Sequence, residues 1–271
     1  MITDEIKQIW QEAVTNARQV TVLTGAGISA ESGIPTFRGP EGYWTIGSEE
    51  YHPQEMATMA MFRQRPLEVW KWYCYRRSVC LNAKPNKGHL ALVDLEQKVG
   101  DRFTLITQNV DGIHLRAGNS AKQTFQIHGN INFMRCSVEC SQELYPVPEF
   151  IPFKPVSKEF PEDLLERLTC PKCDSRSRPH VLWFDESYNE FFYRFESSLE
   201  VAARTDLLLV VGTSGATTLP NHVIQLVIRN GGLVFDVNIE DNSFGELAKQ
   251  NKGYALAGPS GEILPELVSM L

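Results

Sequence analysis

The sequence predicts an α/β protein in which helices cover both faces of a doubly wound parallel sheet, with a small lobe inserted into the main domain. Three observations lead to this prediction. Short apolar runs recur along the chain, helical stretches separate several of them, and two long segments break the alternation. Continuous apolar strands that alternate with helices are typical of parallel sheets buried on both faces.

The apolar runs are short, rich in β-branched residues and bounded by turn residues, as buried strands are. They cover residues 20–23, 103–106, 181–184, 207–211 and 233–237. Before the first run, apolar residues repeat at helical spacing, at Ile6, Ile9, Trp10, Ala13 and Ala17. Helical stretches at 90–99 and 191–203 separate later runs. The chain is therefore predicted to begin with a helix, a buried strand and a glycine-rich turn.

Two segments do not fit this alternation and predict the small lobe. Residues 45–87 are rich in Met and aromatic residues, show no clear strand and indicate helices. Residues 131–177 hold paired cysteines around a proline-rich stretch, 145–161, that resists regular structure. We expect a single catalytic domain. Its large lobe would comprise residues 1–44, 88–130 and 178–271, and its small lobe residues 45–87 and 131–177.

The composition, 42% apolar and 22% charged over 271 residues, predicts a globular protein with one large core. The net charge of −7 argues against a nucleic-acid partner, because phosphate binding rests on a cationic face. A basic partner, such as a lysine-bearing protein tail, fits better. The N-terminal residues lack the apolar segment of a secretory signal, and the longest apolar run is too short to cross a bilayer. We therefore expect a cytoplasmic protein without a membrane partner.

Four of the six cysteines form two close pairs. Three residues separate Cys136 from Cys140 and two separate Cys170 from Cys173, which falls within the range of structural zinc ligands. Four thiolates complete a tetrahedral site, so the ion would hold the small lobe together and take no part in catalysis. Disulfides are the alternative, and a reducing compartment disfavours them. The other two cysteines are interpreted as packing residues; they are Cys74 and Cys80.

A glycine-rich turn follows the first predicted strand. Its residues match a dinucleotide-binding turn with alanine in the third glycine position, and they are Gly25, Ala26, Gly27, Ser29 and Ala30. Glycine allows backbone N–H groups to approach a pyrophosphate. An ordinary tight turn is the alternative, because the acidic residue expected about 20 positions later is missing.

Several blocks, taken in order, resemble the signature blocks of the sirtuin family. They are residues 25–39, 107–114, 128–129, 212–214 and 238–240, with the cysteine quartet between the third and the fourth. The resemblance covers nearly the whole chain. It implies a Rossmann-like domain with a small lobe made of a zinc module and a helical module. It also implies an NAD-dependent protein-lysine deacylase that releases nicotinamide and O-acyl-ADP-ribose.

The resemblance assigns the general base of that reaction to His128. In the family reaction the acyl-lysine amide oxygen attacks the nicotinamide ribose, nicotinamide leaves, and a ribose hydroxyl attacks the resulting imidate. That hydroxyl must lose a proton, and histidine titrates near the working pH. The alternative is that His128 only ends a strand beside Gly129.

The block that follows residues 103–106 is assigned to nicotinamide and its ribose. By resemblance Gln108 binds ribose hydroxyls, the catalytic Asn109 positions water or the ribose, and Val110 with Asp111 holds the carboxamide. These residues come after a predicted strand, at the edge where α/β sheets bind ligands. A turn that uses Asn and Asp for capping is the alternative.

Further NAD contacts are implied by the resemblance. Phe37 and Arg38 belong to a loop that closes over the cofactor, where an aromatic ring shields a cationic intermediate from water; the alternative is a surface loop. Ser260 would contact the adenine, with an ordinary loop serine as the alternative. Phosphate or ribose would meet Gly212, Thr213 and Ser214, and the adenosine ribose would meet Asn238, Ile239 and Glu240. The remaining assigned residues are Glu31, Pro35, Thr36, Tyr43 and Trp44.

Residues 69–77 resemble a segment of the class III sirtuins that supplies a tyrosine and an arginine three positions apart. The match gives Tyr73 and Arg76, and this spacing puts both on one helix face. A guanidinium pairs with a carboxylate and a phenol adds a hydrogen bond, so succinyl-, malonyl- or glutaryl-lysine is expected, with acetyl-lysine as a further substrate. The alternative is an amphipathic helix with an exposed arginine.

Residues 180–186 resemble the family's substrate-binding strand, with Asp185 where glycine is usual. Val181, Trp183 and Phe184 are the substrate-binding residues that this match implies. The substrate backbone would add as a strand between this segment and the one after Ser214. Residues 215–220 depart from the family's apolar pattern, which leaves the peptide preference open.

Other functions remain compatible with parts of the sequence. Mono-ADP-ribosyl transfer or NAD hydrolysis would use nearly the same nucleotide site. A non-catalytic NAD or ADP-ribose sensor, or a cysteine module that serves as an interaction surface, would need no chemistry. The presence of Asn109, Asp111 and His128 favours catalysis over sensing.

Overall fold

The computed structural model describes residues 2–36, 44–46, 49–149 and 163–271, with the backbone alone for residues 44–46 and 49–51. In chain order the strands are β1 (Val20–Thr24), β2 (Trp44–Ile46), β3 (Glu49–Tyr51), β4 (Phe103–Thr107), β5 (Thr124–Gln126), β6 (Gly129–Cys136), β7 (Tyr145–Pro146), β8 (Ser177–Val181), β9 (Leu207–Val211), β10 (Leu233–Asn238) and β11 (Tyr254–Ala257). The helices are α1 (Asp4–Asn16), α2 (Gly27–Ala30), α3 (Pro53–Met56), α4 (Met59–Gln64), α5 (Pro66–Asn82), α6 (Lys87–Val99), α7 (Ile113–Ala117), α8 (Leu164–Arg167), α9 (Glu190–Tyr193), α10 (Phe195–Ala203), α11 (Thr218–Arg229), α12 (Ser243–Gln250) and α13 (Ser260–Val268).

The main sheet runs β11-β10-β9-β1-β4-β5, and its neighbouring strands are parallel. From β1 the chain passes outward to β4 and β5, and it then returns to the other side of β1 to form β9, β10 and β11. This is the Rossmann strand order, with its switch point between β1 and β9. Ligands of such sheets bind outside the carboxyl ends of the strands at the switch point. The predicted α/β fold class is confirmed.

Apolar side chains from both faces of this sheet form the parallel-sheet core. In β9, Leu207 and Leu209 pack toward α1, α6 and α13, whereas Leu208 and Val210 pack toward α10, α11 and α12. Full burial of each such side chain contributes about 1.5–3 kcal/mol. Burial on both faces explains why this strand is a continuous apolar run rather than an alternating one.

A second, antiparallel sheet has the order β7-β6-β8. Its side chains pack with α3, α4, α5 and α8 into a cluster that we call the small-sheet core. Trp70, Trp72 and Tyr73 come from α5, and Trp183 follows β8; all four are buried. The Trp70 indole N–H donates to the Ser177 carbonyl of β8 at 2.9 Å, which ties the helix to the sheet.

Three predictions of local structure were wrong. The run 181–184 is not a strand of the parallel sheet, because β8 ends at Val181 and pairs antiparallel with β6. The helix predicted at 191–203 is interrupted at Arg194, whose backbone is left-handed with φ of 53°. Residues 45–87 were predicted without strands, yet β2 and β3 pair antiparallel before the helices.

The predicted irregular stretch 145–161 lies mostly outside the described residues, apart from β7 and the three residues after it. No helix within the described ranges combines the length and the apolar character that a membrane crossing requires.

Candidate active site

Two glycine-containing loops meet at the switch point of the parallel sheet. The Gly25 N–H donates to the Val211 carbonyl at 3.0 Å, and the Gly27 N–H donates to the Gly212 carbonyl at 2.8 Å. A Cβ on Gly27 would lie 2.7 Å from the Gly212 Cα, which is closer than real Cβ contacts. Glycine is therefore required for the two loops to approach, and the turn has the position of a dinucleotide-binding turn.

Buried hydrogen bonds join this turn to the segment after β4. The Asn109 amide donates to the Gly25 carbonyl at 3.0 Å and to the Ser29 hydroxyl at 3.2 Å. The Ser29 hydroxyl donates to Asp111 at 2.8 Å, and the other Asp111 oxygen accepts from the Ile113 N–H at 2.8 Å. Asn109, Ser29 and Asp111 are all buried. The polar residues predicted from these two blocks therefore form one connected group.

Two buried histidines lie next to this group of polar residues. The His114 ring is 3.0 Å from the Thr24 hydroxyl, the His89 ring is 3.4 Å from the Ser29 hydroxyl, and their centroids are 4.9 Å apart. Burial lowers the pKa of His89 to about 3 and that of His114 to about 4, so both rings are neutral at neutral pH. Our sequence reasoning missed His89, although the preceding Asn86 marks the start of α6.

His128 lies between β5 and β6, half-buried. Its Nδ1 is 3.0 Å from the Gln108 carbonyl oxygen, and its Nε2 is 2.8 Å from the Tyr188 hydroxyl. A carbonyl oxygen only accepts, so the Nδ1 carries the proton and the Nε2 lone pair is the basic position. Burial lowers the His128 pKa to about 4, and the bond to Gln108 opposes this shift. The imidazole is neutral at neutral pH, as a general base must be.

Gly129 fixes the backbone next to this histidine. Its φ is +83°, and a Cβ there would lie 2.2 Å from the His180 carbonyl oxygen of β8. No other residue fits without moving β8 away from β6.

The Gln108 side chain links the ends of β4 and β9. Its amide nitrogen donates to the Thr213 hydroxyl at 2.9 Å, and its amide oxygen accepts from the Thr217 hydroxyl at 2.9 Å. The Asn238 amide donates to the Thr213 carbonyl at 3.0 Å, which brings β10 to the same edge. The predicted contacts after β4, β9 and β10 therefore lie together.

The other predicted NAD contacts are placed as follows. Glu31 accepts from the Ser260 hydroxyl at 3.0 Å and from the Gly261 N–H at 2.8 Å, so both residues lie where α13 begins. Val110 is buried, Pro35, Thr36, Ala26 and Ser214 are half-buried, and Ala30, Ile239 and Glu240 are exposed. Phe37, Arg38 and Tyr43 lie outside the described residues, and of Trp44 only the backbone is described.

Tyr73 and Arg76 lie side by side on α5. Tyr73 is 1% exposed and Arg76 is 5% exposed, which excludes the alternative of an exposed arginine. The Arg76 guanidinium carbon is 4.6 Å from the Trp72 ring centroid and 5.8 Å from that of Tyr73. Burial raises the pKa of Tyr73 to about 12 and lowers that of Arg76, which nearby Tyr73, Cys80 and Asp111 oppose. The phenol is therefore protonated.

Trp183 is held from several sides. Its indole N–H donates to the Tyr73 hydroxyl at 2.8 Å, and its backbone N–H donates to Glu186 at 2.9 Å. The guanidinium of Arg178, a fully buried side chain, stacks on the Trp183 ring at 3.5 Å and pairs with Glu186. Val181, at the end of β8, is buried. The predicted substrate strand thus leads directly to the tyrosine and arginine of α5.

The next two residues connect this segment to the end of α3 and the start of α4. Phe184 is 59% exposed, and its N–H donates to the Ala57 carbonyl at 3.0 Å. The Asp185 carboxylate accepts from the N–H groups of Met59 at 2.8 Å and Ala60 at 3.1 Å. The aspartate that replaces the usual glycine therefore caps α4.

The four paired cysteines come together as predicted. Their sulfur atoms all lie within 4.8 Å of one another, with Cys136 to Cys173 and Cys140 to Cys170 at 3.6 Å. A disulfide needs about 2.05 Å. Four sulfurs at 2.3 Å from a tetrahedral zinc are about 3.8 Å apart. The quartet fits one structural zinc ion and not a pair of disulfides.

The remaining cysteines, Cys74 and Cys80, are buried in α5. Burial raises the pKa of both thiols to about 12, so they pack as neutral side chains.

Comparisons with known proteins agree with this geometry. Residues 25–218 match a family model described as the Sir2 family. A relative from Leptospira interrogans, named NAD-dependent protein deacylase, is 41% identical over 253 residues, which are 93% of this chain and 92% of that protein.

Solved structures are similar over nearly the whole chain. One, described as a Sir2 homolog–NAD complex, has a TM-score of 0.79 and 33% identity and covers 97% of this chain and 92% of its own. Another, described as Sir2 with a p53 peptide and NAD+, has a TM-score of 0.77 and 27% identity and covers 97% of both chains. Because a family model matches most of the chain and a relative shares 41% of its residues over nearly the full length, the protein belongs to the Sir2 family.

Proposed function

We propose that this chain is an NAD-dependent protein-lysine deacylase in which His128 is the general base. The observation that carries the proposal is the position of a neutral histidine beside Gln108, at the switch-point edge that the dinucleotide turn occupies. Relatives with full-length similarity are named NAD-dependent protein deacylases. The chain has the same family fold and a polar group suited to the same reaction.

The residues of the site divide the work of the reaction. NAD supplies an activated ribose carbon, since nicotinamide is a leaving group. Asp111, together with Val110, holds the carboxamide; Asn109, fixed between Gly25 and Ser29, orients the ribose or a water molecule. His128 accepts a ribose hydroxyl proton and so makes that oxygen nucleophilic.

The proposed function also implies a division of the chain into two lobes and a class of binding partners. Residues 1–44, 88–130 and 178–271 form the NAD-binding lobe, and residues 45–87 and 131–177 form the small lobe that zinc holds together. The substrates are proteins or peptides that carry an acylated lysine, which suits the net charge of −7 better than a nucleic acid does. Reduced thiolates in the metal site favour the cytoplasm, and no membrane partner is proposed.

The base assignment is tested with His128→Ala and His128→Tyr. Loss of a general base should lower deacylation about 10²- to 10⁴-fold, while the contacts of Gln108 and Asn109 keep NAD binding unchanged. Mass spectrometry of an acyl-lysine peptide measures turnover, and calorimetry measures NAD affinity. Near-normal turnover in either variant contradicts the assignment.

The same assay separates the competing activities. A deacylase forms O-acyl-ADP-ribose, a transferase labels the protein with ADP-ribose, and a hydrolase forms free ADP-ribose without needing a peptide. A sensor forms none of these products although it binds the nucleotide.

We also propose that the acyl group carries a carboxylate, read by Arg76 and Tyr73. Because Trp183 donates to the Tyr73 oxygen, Tyr73 keeps its own proton for another acceptor. The Arg76 guanidinium is charged and largely excluded from solvent, so a carboxylate is its preferred partner. Succinyl-, malonyl- and glutaryl-lysine supply that group, and acetyl-lysine does not.

The acyl preference is tested with Arg76→Met. A succinyl carboxylate would lose its partner, so kcat/KM for the succinyl peptide should fall roughly 30- to 5,000-fold, which is a loss of about 2–5 kcal/mol in transition-state binding. The turnover of the acetyl peptide should stay unchanged or rise. Tyr73→Phe should act in the same direction but less, because it removes one hydrogen bond and keeps the ring. Arg77→Met is the matched control on the same helix and should not change the ratio of the two substrates. Equal losses for succinyl and acetyl peptides in Arg76→Met would show that the arginine is structural.

A further inference from the structure

We propose that Tyr188 is a catalytic residue that relays the substrate proton to His128. This inference rests on the proposed role of His128 as the base. In it, the Tyr188 oxygen takes a proton from the ribose hydroxyl while the Tyr188 O–H proton passes to the His128 Nε2. The ribose O–H bond breaks and its electron pair stays on the ribose oxygen, which attacks the imidate. One O–H bond breaks and one forms at the phenol, and one N–H bond forms at the imidazole.

Both ring nitrogens of the His128 imidazole have hydrogen-bond partners. His128 has two ring nitrogens, and the Gln108 carbonyl at 3.0 Å accepts the proton of Nδ1. The lone pair on Nε2 is the remaining acceptor, and the Tyr188 hydroxyl lies 2.8 Å from it. A phenol at this distance donates its proton to Nε2. While this arrangement lasts, a proton reaches His128 only through Tyr188.

The Tyr188 phenol is held in place by its neighbours. The Tyr188 ring stacks on Phe195 with centroids 6.0 Å apart and packs against the parallel-sheet core. Thr217 lowers the pKa of Tyr188, against the effect of burial, and the Thr217 hydroxyl donates to the Gln108 side-chain oxygen at 2.9 Å. Gln108 thus contacts His128 through its backbone carbonyl and Thr217 through its side chain. The base, the phenol and the amide proposed to bind ribose form one connected unit.

The protonation state of the Tyr188 phenol determines how the proton can move. Burial raises the pKa of Tyr188 to about 12, so the phenol is a donor at neutral pH and a free phenolate is disfavoured. The two proton transfers are therefore concerted. Gln108 and Thr217, which belong to the same network, have neutral side chains that do not titrate. His128 and Tyr188 are therefore the titratable residues of this network.

The sequence contains no local signal for this contact. Tyr188 lies 60 residues after His128, between polar neighbours such as Ser187 and Asn189 that give no sign of a histidine partner. Thr217 was notable only as a polar residue where the family pattern is apolar.

The test is Tyr188→Phe, which removes the hydroxyl and keeps the ring that stacks on Phe195. The relay predicts that kcat falls about 10²-fold, the scale of a lost acid–base group, with NAD affinity unchanged. The lost hydrogen bond favoured neutral imidazole, so the His128 pKa should rise by about one unit in a histidine NMR titration of the folded protein. The acid side of the pH profile of kcat/KM should move to higher pH together with the His128 pKa.

Tyr193→Phe is the matched control. It removes a buried phenol near His180 and Arg135, and it should leave both the His128 titration and kcat unchanged. Thr217→Val provides a second variant, with an intermediate loss of kcat if the connected unit positions the phenol.

Two results overturn the relay. A turnover in Tyr188→Phe equal to or above that of the unaltered chain would mean that the phenol only occupies Nε2 and leaves before the reaction. An unchanged His128 titration would mean that the hydrogen bond is not made in solution. Failure of the proposed function has a different signature, because the unaltered chain itself would then form no O-acyl-ADP-ribose.

Discussion

The two cores of this protein are stabilised in different ways. The parallel-sheet core consists of aliphatic strands such as β9, whose five residues are all buried and need no polar partner. The small-sheet core combines large aromatic rings with the buried guanidinium groups of Arg76 and Arg178 and borders a thiolate quartet. Burial of apolar surface suffices for the first core, whereas the second depends on partners for buried charge and on a metal.

The two cores also supply different parts of the candidate site. The rigid sheet provides the edge to which the dinucleotide turn and His128 are attached. The small-sheet core provides Trp183, Tyr73 and Arg76, which are positioned by side-chain hydrogen bonds and stacking. Changes in the small-sheet core should therefore alter substrate choice more readily than nucleotide binding.

The largest effect that separates the two cores is expected for Cys170→Ser. Cys170 is fully buried, and binding of a structural zinc by peptides is worth about 10–16 kcal/mol. The variant should lose zinc, measured by elemental analysis, and the small-sheet core should lose its fixed packing. Near-ultraviolet circular dichroism would report the loss through Trp70, Trp72 and Trp183, while Trp10 reports an intact parallel-sheet core.

Cys74→Ser serves as its control, because this buried thiol lies in α5 and outside the quartet. It should retain one zinc per chain. Full zinc occupancy in Cys170→Ser would contradict the metal assignment.

A smaller effect is expected when a buried charge in the small-sheet core loses its partner. Arg178→Met leaves the Glu186 carboxylate with Arg135, 3.7 Å away, as a distant charged partner beside the Trp183 N–H, and should lower the free energy of unfolding by about 3–5 kcal/mol. Urea unfolding measures the loss. Adding Glu186→Gln should restore part of it, because the uncompensated carboxylate is then gone. A double variant less stable than the single one would argue against this cause.

The matching change in the parallel-sheet core is Leu209→Ala. It leaves a cavity next to α1 and α13 and should cost about 2–5 kcal/mol. Chelation of zinc should not change this loss, whereas it should diminish the effect of Arg178→Met. If chelation diminishes both alike, the two cores unfold as one unit and the comparison fails.

The smallest effect is expected at the contact between the substrate segment and α4. Asp185→Ala removes a cap on the Met59 and Ala60 N–H groups, which typically costs about 0.5–2 kcal/mol. Asp185→Asn should recover most of the stability, because the amide oxygen still accepts. KM for the peptide should rise in Asp185→Ala while that for NAD stays the same. A change in KM confined to NAD would contradict the proposed role of residues 180–186 in substrate binding.

Local sequence patterns were sufficient for much of the fold and part of the site. The largely apolar runs of β1, β4, β9 and β10 indicated the strands of the parallel sheet, because a strand without regular polar alternation is typical of burial on both faces. The glycines of the first turn and the spacing of the cysteines are short-range features, and the structure brings the four sulfurs together as expected.

Long-range contacts decided the rest. Whether the run 181–184 continued the parallel sheet or followed an antiparallel strand depended on pairing with β6, which apolar character does not encode. The break at Arg194, the cap that Asp185 provides for α4 and the bond between Tyr188 and His128 join segments that are distant or locally ambiguous. Hydrophobic period determines which residues are buried, but the partner of a buried polar group is set by the packing of the whole chain.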